Sequence, residues 1–342
     1  MKKALCVGIV FVVMLAASPF GLFAQQGDLN QLSRDITAKN NADRAEAYRL
    51  AALNGWATRG YGPNGSFFEL QKMVNGIPAF YTTDNADAAK STNTDSTNLA
   101  IGGGSGFVLR IWDGGAPRIT HQELTGRVTW NDPLPYASNI IGHATHTAGT
   151  LVASGVVAQA KGMAYAASLR AFEWTNDTGE MTSEASAGMN LSSHSYGYTR
   201  GWSYNTLNSY WYWYGDTAIS DQRDYEFGFY DSEAQLVDQI ANNAPNYLPV
   251  ASASNDRGEG PASQPVKHYY WDSRYGNWRF STKTRQLDGG TTGYDCIPNG
   301  MQLSKNTFTV GAVMNVPVYT GPSSVTMTTF SSWGPADDGR IK

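Results

Sequence analysis

Cysteine is scarce in this sequence, which limits the covalent and redox chemistry open to it. The 342 residues contain two cysteines, Cys6 and Cys296. Cys6 lies in an apolar leader, too early for a lipid-attachment site, so Cys296 is alone in the remaining chain and no internal disulfide is available. No signature of a thiol protease surrounds Cys296. We therefore expect it to be a structural thiol in a fold that is stable without a disulfide.

Charged residues are also few. They make up 16% of the chain, with a formal net charge of -4, and no basic run stands out. A nucleic-acid-binding protein usually carries a basic patch or stripe, so this composition gives no support for a nucleic-acid partner. Hydrophobic residues make up 41% of the chain. That fraction and the chain length suit one large or two modest globular domains with a substantial core.

Long hydrophobic runs are absent apart from one at the start. Ala4 to Ala17 is almost continuously apolar, and Lys2 and Lys3 precede it. This pattern predicts a secretory signal peptide over residues 1–24, cleaved after Ala24. The alternative is a retained membrane anchor, because the run approaches spanning length. The prediction is a secreted protein, extracellular or at the cell surface, with no membrane contact after signal cleavage.

Residues 25–80 are predicted to form an N-terminal extension or a short pro-region. Apolar residues recur at helical spacing over residues 29–54. Two strand-like runs, residues 67–73 and 77–83, then flank the turn signal Asn75-Gly76 and predict a hairpin. Residues 85–97 are polar and predict a short helix or an exposed connection.

The rest of the chain alternates strands and helices, a pattern typical of a mostly parallel α/β sheet with helices on both faces. Strands are predicted at residues 107–112, 167–174, 191–196, 247–252, 307–313 and 325–330, and helices at residues 143–157, 182–189 and 236–243. Two segments interrupt this alternation, an aromatic insertion at residues 198–231 and a second insertion at residues 256–300. We expect both to pack against the domain or to border its cleft.

The stretch from Gly142 to Thr150 contains candidate catalytic or metal-binding residues, because His143 and His146 precede a run of small residues there. Three interpretations are open: a packed helix start with incidental histidines, a metal pair on one helix face, or a catalytic base at a helix mouth. Asp113 ends a predicted strand at the sheet edge where α/β proteins bind ligands. Asn255 follows a later strand of small residues. The order Asp, His, Asn is typical of a hydrolase with a serine nucleophile.

Six short motifs then make the comparison specific, and over residues 105–342 the sequence resembles a subtilisin-like serine protease (subtilase, peptidase family S8). In chain order they are Ile111-Trp112-Asp113-Gly114-Gly115, His143-Ala144-Thr145-His146-Thr147-Ala148-Gly149-Thr150, Gly162-Met163-Ala164, Ser195-Tyr196-Gly197, Ala253-Ser254-Asn255 and Phe330-Ser331-Ser332-Trp333-Gly334-Pro335. The resemblance implies a three-layer subtilisin-like fold over residues 81–342, incomplete at its C-terminus.

The resemblance also assigns roles to the candidate residues. Asp113 would orient the imidazole, His143 would be the general base and Asn255 would donate to the oxyanion. Ser195, Tyr196 and Gly197 would pair with the substrate backbone, which Ser252, Ala253 and Ser254 would also border. His146 would support the helix start. Ser254 replaces the usual glycine of its motif, so its side chain is expected to narrow the cleft.

No metal site is expected, because no glutamate lies between the two histidines as in H-E-x-x-H and no third ligand has suitable spacing. The resemblance to a serine protease implies no catalytic cofactor. Structural calcium, common in subtilases, stays unassigned to any residue. The expected partners are protein or peptide substrates, and the expected state is a monomer. A zinc hydrolase is the third class; it would lose stoichiometric zinc when His146 is replaced.

The motif that carries the nucleophile is absent. In subtilases the serine lies in G-T-S-M-A, downstream of F-S-S-x-G-P, and no G-T-S-M-A occurs in the 342 residues. The leading prediction is therefore a secreted serine endopeptidase that acts through an acyl-enzyme, present here as a fragment truncated before the catalytic serine and inactive alone. The alternative is a catalytically inactive, peptide-binding subtilase homologue.

Overall fold

A computed structural model of the chain describes residues 19–61, 67–74, 76–83, 102–157, 160–205, 208–314, 316 and 319–342. Its helices and strands are, in order, α1 (Pro19–Asn54), β1 (Arg59–Tyr61), β2 (Phe67–Val74), β3 (Ile77–Thr83), β4 (Val108–Asp113), β5 (Val128–Trp130), α2 (Gly142–Val152), β6 (Ser168–Glu173), α3 (Asp177–Ser186), β7 (Leu191–His194), β8 (Tyr196–Tyr198), β9 (Trp202–Asn205), β10 (Tyr210–Trp213), α4 (Ser232–Asn243), β11 (Leu248–Ser252), β12 (His268–Asp272), β13 (Asn277–Ser281) and β14 (Phe308–Val310).

The central sheet has six strands in the order β14-β11-β7-β4-β6-β5, and every pairing in it is parallel. Parallel strands need crossover connections, which α2, α3 and α4 supply. One face packs on α2, where Ile111 meets Ala148 and Val152. The other face packs on α3 and α4 through Trp112 and other buried side chains. The predicted α/β fold with helices on both faces is confirmed.

The N-terminal segment, α1 with β1–β3, packs onto the central domain. On α1, Ser33 Oγ donates to the carbonyl of Gly179 at 2.7 Å, and Asn40 Nδ2 donates to Thr178 Oγ1 at 3.0 Å. The predicted hairpin is present as β2 and β3, and β3 continues into a second sheet with the order β1-β2-β3-β8. Strand β3 spans the boundary predicted between residues 80 and 81.

A third sheet joins the two predicted insertions. Its strand order is β13-β12-β10-β9, and β10 pairs in parallel with β12, far away in the sequence. Trp202, Trp213 and Trp271 are fully buried. Trp202 lies edge-on to His268 of the other insertion, and Trp271 lies edge-on to Trp56 of the N-terminal segment. The tryptophans therefore pack the insertions against each other and against that segment, which favours the packing interpretation of the insertions.

Several predicted boundaries were wrong. The helix of the two histidines ends at Val152 instead of residue 157. Beyond it, Gly162 donates its amide to the Ala153 carbonyl at 2.9 Å, and a Cβ on Gly162 would collide with the Ala153 amide. Helix α3 begins at Asp177, earlier than expected. Residues 325–330 form no strand; Met327 makes an isolated bridge with Val313.

Two predictions fall on parts of the chain outside the described ranges. The helix or connection at residues 85–97 lies wholly outside them, and so does most of the apolar leader. Helix α1 runs through the predicted cleavage position after Ala24. Within the part of the chain that the structure describes, no helix is both long and apolar enough to cross a membrane.

Candidate active site

The candidate residues gather at one edge of the central sheet. Strands β4, β7 and β11 are neighbours and run parallel, so their carboxyl ends lie along the same edge. Asp113 is the last residue of β4, Ser195 directly follows β7, and Asn255 follows the end of β11. This is the edge at which open α/β sheets bind their ligands.

Asp113 and His143 form a close pair at this edge. The Nδ1 atom of His143 lies 2.8 Å from Asp113 Oδ2 and 3.0 Å from Asp113 Oδ1. The side chains are 8% and 2% exposed, respectively. A carboxylate on Nδ1 fixes the ring orientation and favours the tautomer protonated at that atom. Nε2, at the opposite edge of the ring, is then the atom that would accept a proton.

Two further donors hold the Asp113 carboxylate. The Gly114 amide donates to Oδ1 at 2.8 Å, and Thr147 Oγ1 donates to Oδ2 at 3.0 Å. Sequence reasoning did not single out Thr147. The available signal was its spacing, because Thr147 is four residues after His143 and shares its helix face.

The approach of α2 to β4 is fixed by backbone contacts. The Ala116 amide donates to the Asn139 carbonyl at 2.6 Å, and the Ile141 amide donates to the Ala116 carbonyl at 3.0 Å. A Cβ on Gly115 would collide with the Asn139 carbonyl, so this close crossing requires glycine at position 115. These bonds tie the start of α2 to the segment after Asp113 and so position His143.

The segment that carries Asn255 is held by hydrogen bonds to Ser332, which lies in the motif from Phe330 to Pro335. The Ser332 amide donates to the Ser254 carbonyl at 3.0 Å, and the Asp256 amide donates to Ser332 Oγ at 3.0 Å. Ser254 has φ +80°, a left-handed conformation that favours glycine. Its hydroxyl donates to Asp256, so the side chain is engaged with the loop. The side chains of Ser252 and Asn255 are half-buried, whereas Ala253 and Ser254 are buried.

The predicted substrate-binding edge is already paired with a strand of this chain. Strand β3 runs antiparallel to β8, with Thr82 opposite Gly197 and Thr83 opposite Tyr196. Gln302 supports β8 from behind, donating from Nε2 to the Tyr196 carbonyl at 2.7 Å. A Cβ on Gly197 would lie 2.8 Å from Gln302 Nε2, which explains a glycine at this position. Sequence reasoning missed this occupation by β3.

The hairpin brings titratable groups into a buried cluster near β8. Lys72 of β2 lies 2.9 Å from Glu233 of α4. Burial and the nearby Glu233 raise the pKa of Asp177, at the start of α3, to about 7. Burial, with Glu69 of β2 opposite, raises the pKa of Glu173 well above its usual range. Docking the N-terminal segment therefore buries more carboxyl groups than cations.

The two histidines of α2 differ in their surroundings. His143 contacts Asp113, whereas His146 is exposed, and its carbonyl accepts a bond from Thr150 at 3.1 Å. Among the residues that the structure describes, no group of three or more His, Cys, Asp or Glu side chains is arranged to hold a metal ion.

Comparison with known proteins identifies the family of this chain. The family model of the subtilase family, peptidase S8, matches residues 104–342. No curated protein matches the chain.

Among solved structures, the chain is similar to the patellamide maturation protease PatA, with 17% identity and a TM-score of 0.38 over 69% of this chain and 64% of PatA. It is also similar to the patellamide maturation protease PatG, with 14% identity and a TM-score of 0.36 over 73% of this chain and 70% of PatG. A third similar structure is the MycP3 protease from the type VII (ESX-3) secretion system, with 14% identity and a TM-score of 0.30 over 54% of this chain and 53% of MycP3.

The chain thus spans less than two thirds of the length of PatA and of MycP3. Because the family match covers more than half of the chain and spans Asp113, His143 and Asn255, the chain belongs to the subtilase family of serine-type proteases.

Proposed function

We propose that this chain is a fragment of a secreted serine endopeptidase whose nucleophile lies outside residues 1–342. The observation that carries the proposal is the buried Asp113–His143 pair, with Nδ1 on the carboxylate and Thr147 as a further donor. The acidic partner keeps Nε2 as the proton acceptor and stabilises the imidazolium that forms during reaction. The leader at residues 1–24 supports secretion, and residues 25–80 are assigned as an N-terminal extension or a short pro-region.

The proposed chemistry is acyl transfer to a serine. Its hydroxyl oxygen attacks the carbonyl carbon of the scissile peptide while His143 Nε2 takes the hydroxyl proton. Asn255 stabilises the oxyanion, and His143 then gives the proton to the leaving amine as the C–N bond breaks. Water hydrolyses the ester by the same steps. Ser195, Tyr196 and Gly197 bind the substrate backbone, with Ser252, Ala253 and Ser254 on the opposite side.

An uncovered sheet face supports a further segment beside the site. Ile111 of β4 faces α2, and the strand register places Ser193, Val250 and Phe308 on the same face. On the strands beyond α2, this face exposes four large apolar side chains, Leu191, Leu248, Phe308 and Val310. Contiguous apolar surface of this kind is typical of an interaction site. We assign it to the segment that carries the serine.

The test extends the chain with the residues encoded beyond Lys342 and exposes it to a serine-directed phosphonate. We expect the extended chain to be labelled and to hydrolyse peptides, and residues 25–342 alone to stay unlabelled. His143→Ala should lower the rate by several orders of magnitude, the size known for subtilisin itself. His146→Ala is the matched control and should retain most activity. Labelling of residues 25–342 alone would contradict the assignment of the nucleophile.

A catalytically inactive peptide-binding homologue is the second candidate, and the pairing of β3 with β8 favours it to the extent that this edge binds an extended strand. A stop codon directly after Lys342, together with peptide binding but no labelling, would select this alternative. A zinc hydrolase would instead lose bound zinc and activity in His146→Ala. The proposal assigns no catalytic cofactor and leaves calcium without a site.

A further inference from the structure

Three rings form a row across the central sheet, one residue before the edge that carries Asp113. Trp112 of β4 is in register with Phe172 of β6 and with His194 of β7. The indole of Trp112 is stacked on both neighbours, with its ring centroid 4.6 Å from that of Phe172 and 5.2 Å from that of His194. Trp112 is fully buried. Because buried side chains pack closely, the row fixes the end of β4 relative to the strands on either side of it.

The row lies on the opposite face of the sheet from the Asp113 carboxylate. Side chains alternate along a strand, so Trp112 faces α3 and α4 while Asp113 faces α2 and its His143. Trp112 Nε1 donates to Glu180 Oε2 on α3 at 2.9 Å. A buried donor that leaves its acceptor loses a hydrogen bond without gaining one to water. The bond to Glu180 therefore keeps the indole from sliding or turning within the row.

His194 is a fixed wall of the row on the β7 side. Its Nε2 atom lies 2.7 Å from Ser192 Oγ, and its Nδ1 atom lies 2.9 Å from the Tyr196 hydroxyl oxygen. The Tyr196 hydroxyl in turn donates to Asp177 at 2.9 Å. Both ring nitrogens are engaged, so the imidazole cannot rotate away from Trp112 without breaking two hydrogen bonds.

The contact between Asp113 and His143 depends on where β4 ends. The two carboxylate oxygens lie 2.8 and 3.0 Å from His143 Nδ1, and a small shift of the Asp113 backbone would lengthen both distances. Trp112 directly precedes Asp113, so a shift of the indole moves that backbone. We propose that Trp112 is a positioning residue of the active site. Its indole, held by the two flanking rings and by the Glu180 carboxylate, fixes Asp113 at the distance that keeps His143 protonated at Nδ1.

This role deepens the proposed protease function and rests on it, and the test replaces the indole and its acceptor in the full chain. Trp112→Phe keeps a ring in the row and removes the donor. Its control is Trp202→Phe, because Trp202 of β9 is also fully buried and its Nε1 donates to the Gln286 carbonyl at 2.7 Å. Glu180→Met removes the acceptor, whereas Glu180→Gln, of similar size and also uncharged, keeps an acceptor oxygen. The Glu180 variants separate the hydrogen bond from the charge and decide the test if Trp112→Phe does not fold.

The readout is the His143 ring, which a general loss of stability does not change in a chain that stays folded. NMR of protein labelled at the histidine ring nitrogens, with signals assigned from His143→Ala, reports which nitrogen carries the proton and how fast that proton exchanges. A net hydrogen bond corresponds to about twofold to tenfold in an equilibrium constant. We therefore expect about twofold to tenfold faster exchange, and less protonation at Nδ1, in Trp112→Phe and Glu180→Met. Trp202→Phe and Glu180→Gln should match the unsubstituted chain.

Unchanged His143 signals in Trp112→Phe or in Glu180→Met would overturn the positioning role, and so would a change of the same size in the control of either. The signals need no nucleophile. If they respond as expected but the chain extended beyond Lys342 is not labelled by the phosphonate, the positioning role stands and the protease fails. If the extended chain is labelled equally fast with and without Glu180→Met and the signals do not change, the protease stands and the positioning role fails.

Discussion

At the scale of single residues, the site depends on donors that hold a buried carboxylate in place. Asp113 is almost fully buried and accepts from Gly114, Thr147 and His143. When a buried carboxylate loses a hydrogen-bond donor, the folded state is destabilised because the carboxylate has given up its water and has no replacement for that bond. Thr147 therefore fixes the position of the Asp113 side chain directly and the orientation of His143 indirectly.

We predict that Thr147→Val destabilises the chain by about 1–3 kcal/mol relative to Thr150→Val. The Thr150 hydroxyl donates its one proton to a carbonyl one turn earlier in α2, whereas the Thr147 hydroxyl can give its one proton to Asp113 instead of such a carbonyl. The matched pair thus compares a hydroxyl bonded to the carboxylate with one bonded to a backbone carbonyl. Urea unfolding of the two variants measures the difference, and equal midpoints with equal slopes would show that the bond is without consequence.

At the scale of elements, the sequence predicted the pairing of neighbouring strands but not the pairing of strands that lie far apart in the chain. Residues 67–73 and 77–83 are strand-like runs that flank a turn signal, so the hairpin was predictable from neighbouring residues. The pairing of β3 with β8 joins residues more than a hundred positions apart, and no local pattern encodes its register. No local pattern encodes the pairing of β10 with β12 either, because these strands belong to separate insertions. The Asp113–His143 pair was predicted because family motifs identified it; Thr147 and the occupied edge were not.

The docking of the hairpin should weaken as pH rises. Asp177 faces Tyr81 of β3, Tyr196 of β8 and Glu233 of α4, and its pKa in the folded chain is about 7, above its value of 3.8 in an unfolded chain. A raised carboxyl pKa stabilises the fold below pH 4, and that stability is lost as pH rises toward 7. Burial acts to raise the pKa of Glu233, but the neighbouring Lys72 and its hydrogen bond lower that pKa by more. Glu233 therefore does not contribute to the pH dependence of stability in this range.

We predict that the free energy of unfolding falls by about 3 kcal/mol from pH 5 to pH 8 through this group alone. Urea unfolding at both pH values, compared with Asp177→Asn, measures it. The variant should show a flatter pH dependence, and hydrogen exchange should place the loss in β3. A wild-type slope equal to that of Asp177→Asn would rule out Asp177 as its source.

At the scale of the whole molecule, the two faces of the central sheet are unequally covered. The face toward α3 and α4 is buried from β4 to β11, with His194 and Ala251 almost inaccessible. Burial lowers the pKa of His194 to about 3, so this histidine stays neutral in the core. The face toward α2 is covered over β4 and β6 and exposed over β7, β11 and β14. A sheet of parallel strands is normally covered on both faces.

We predict that Phe308→Ala changes the stability of residues 25–342 by less than about 0.5 kcal/mol, because the side chain is 61% exposed there. In the chain extended beyond Lys342, the same substitution should cost about 3–5 kcal/mol, the cost of truncating a buried phenylalanine. Phe280→Ala, on strand β13 of the third sheet, is the control because this side chain is also exposed, and it should cost the same in both chains. Urea unfolding of the four variant proteins against their parents gives the comparison. An equal, small cost for Phe308→Ala in both chains would mean that the added segment leaves this face exposed, so that the serine must be presented from elsewhere.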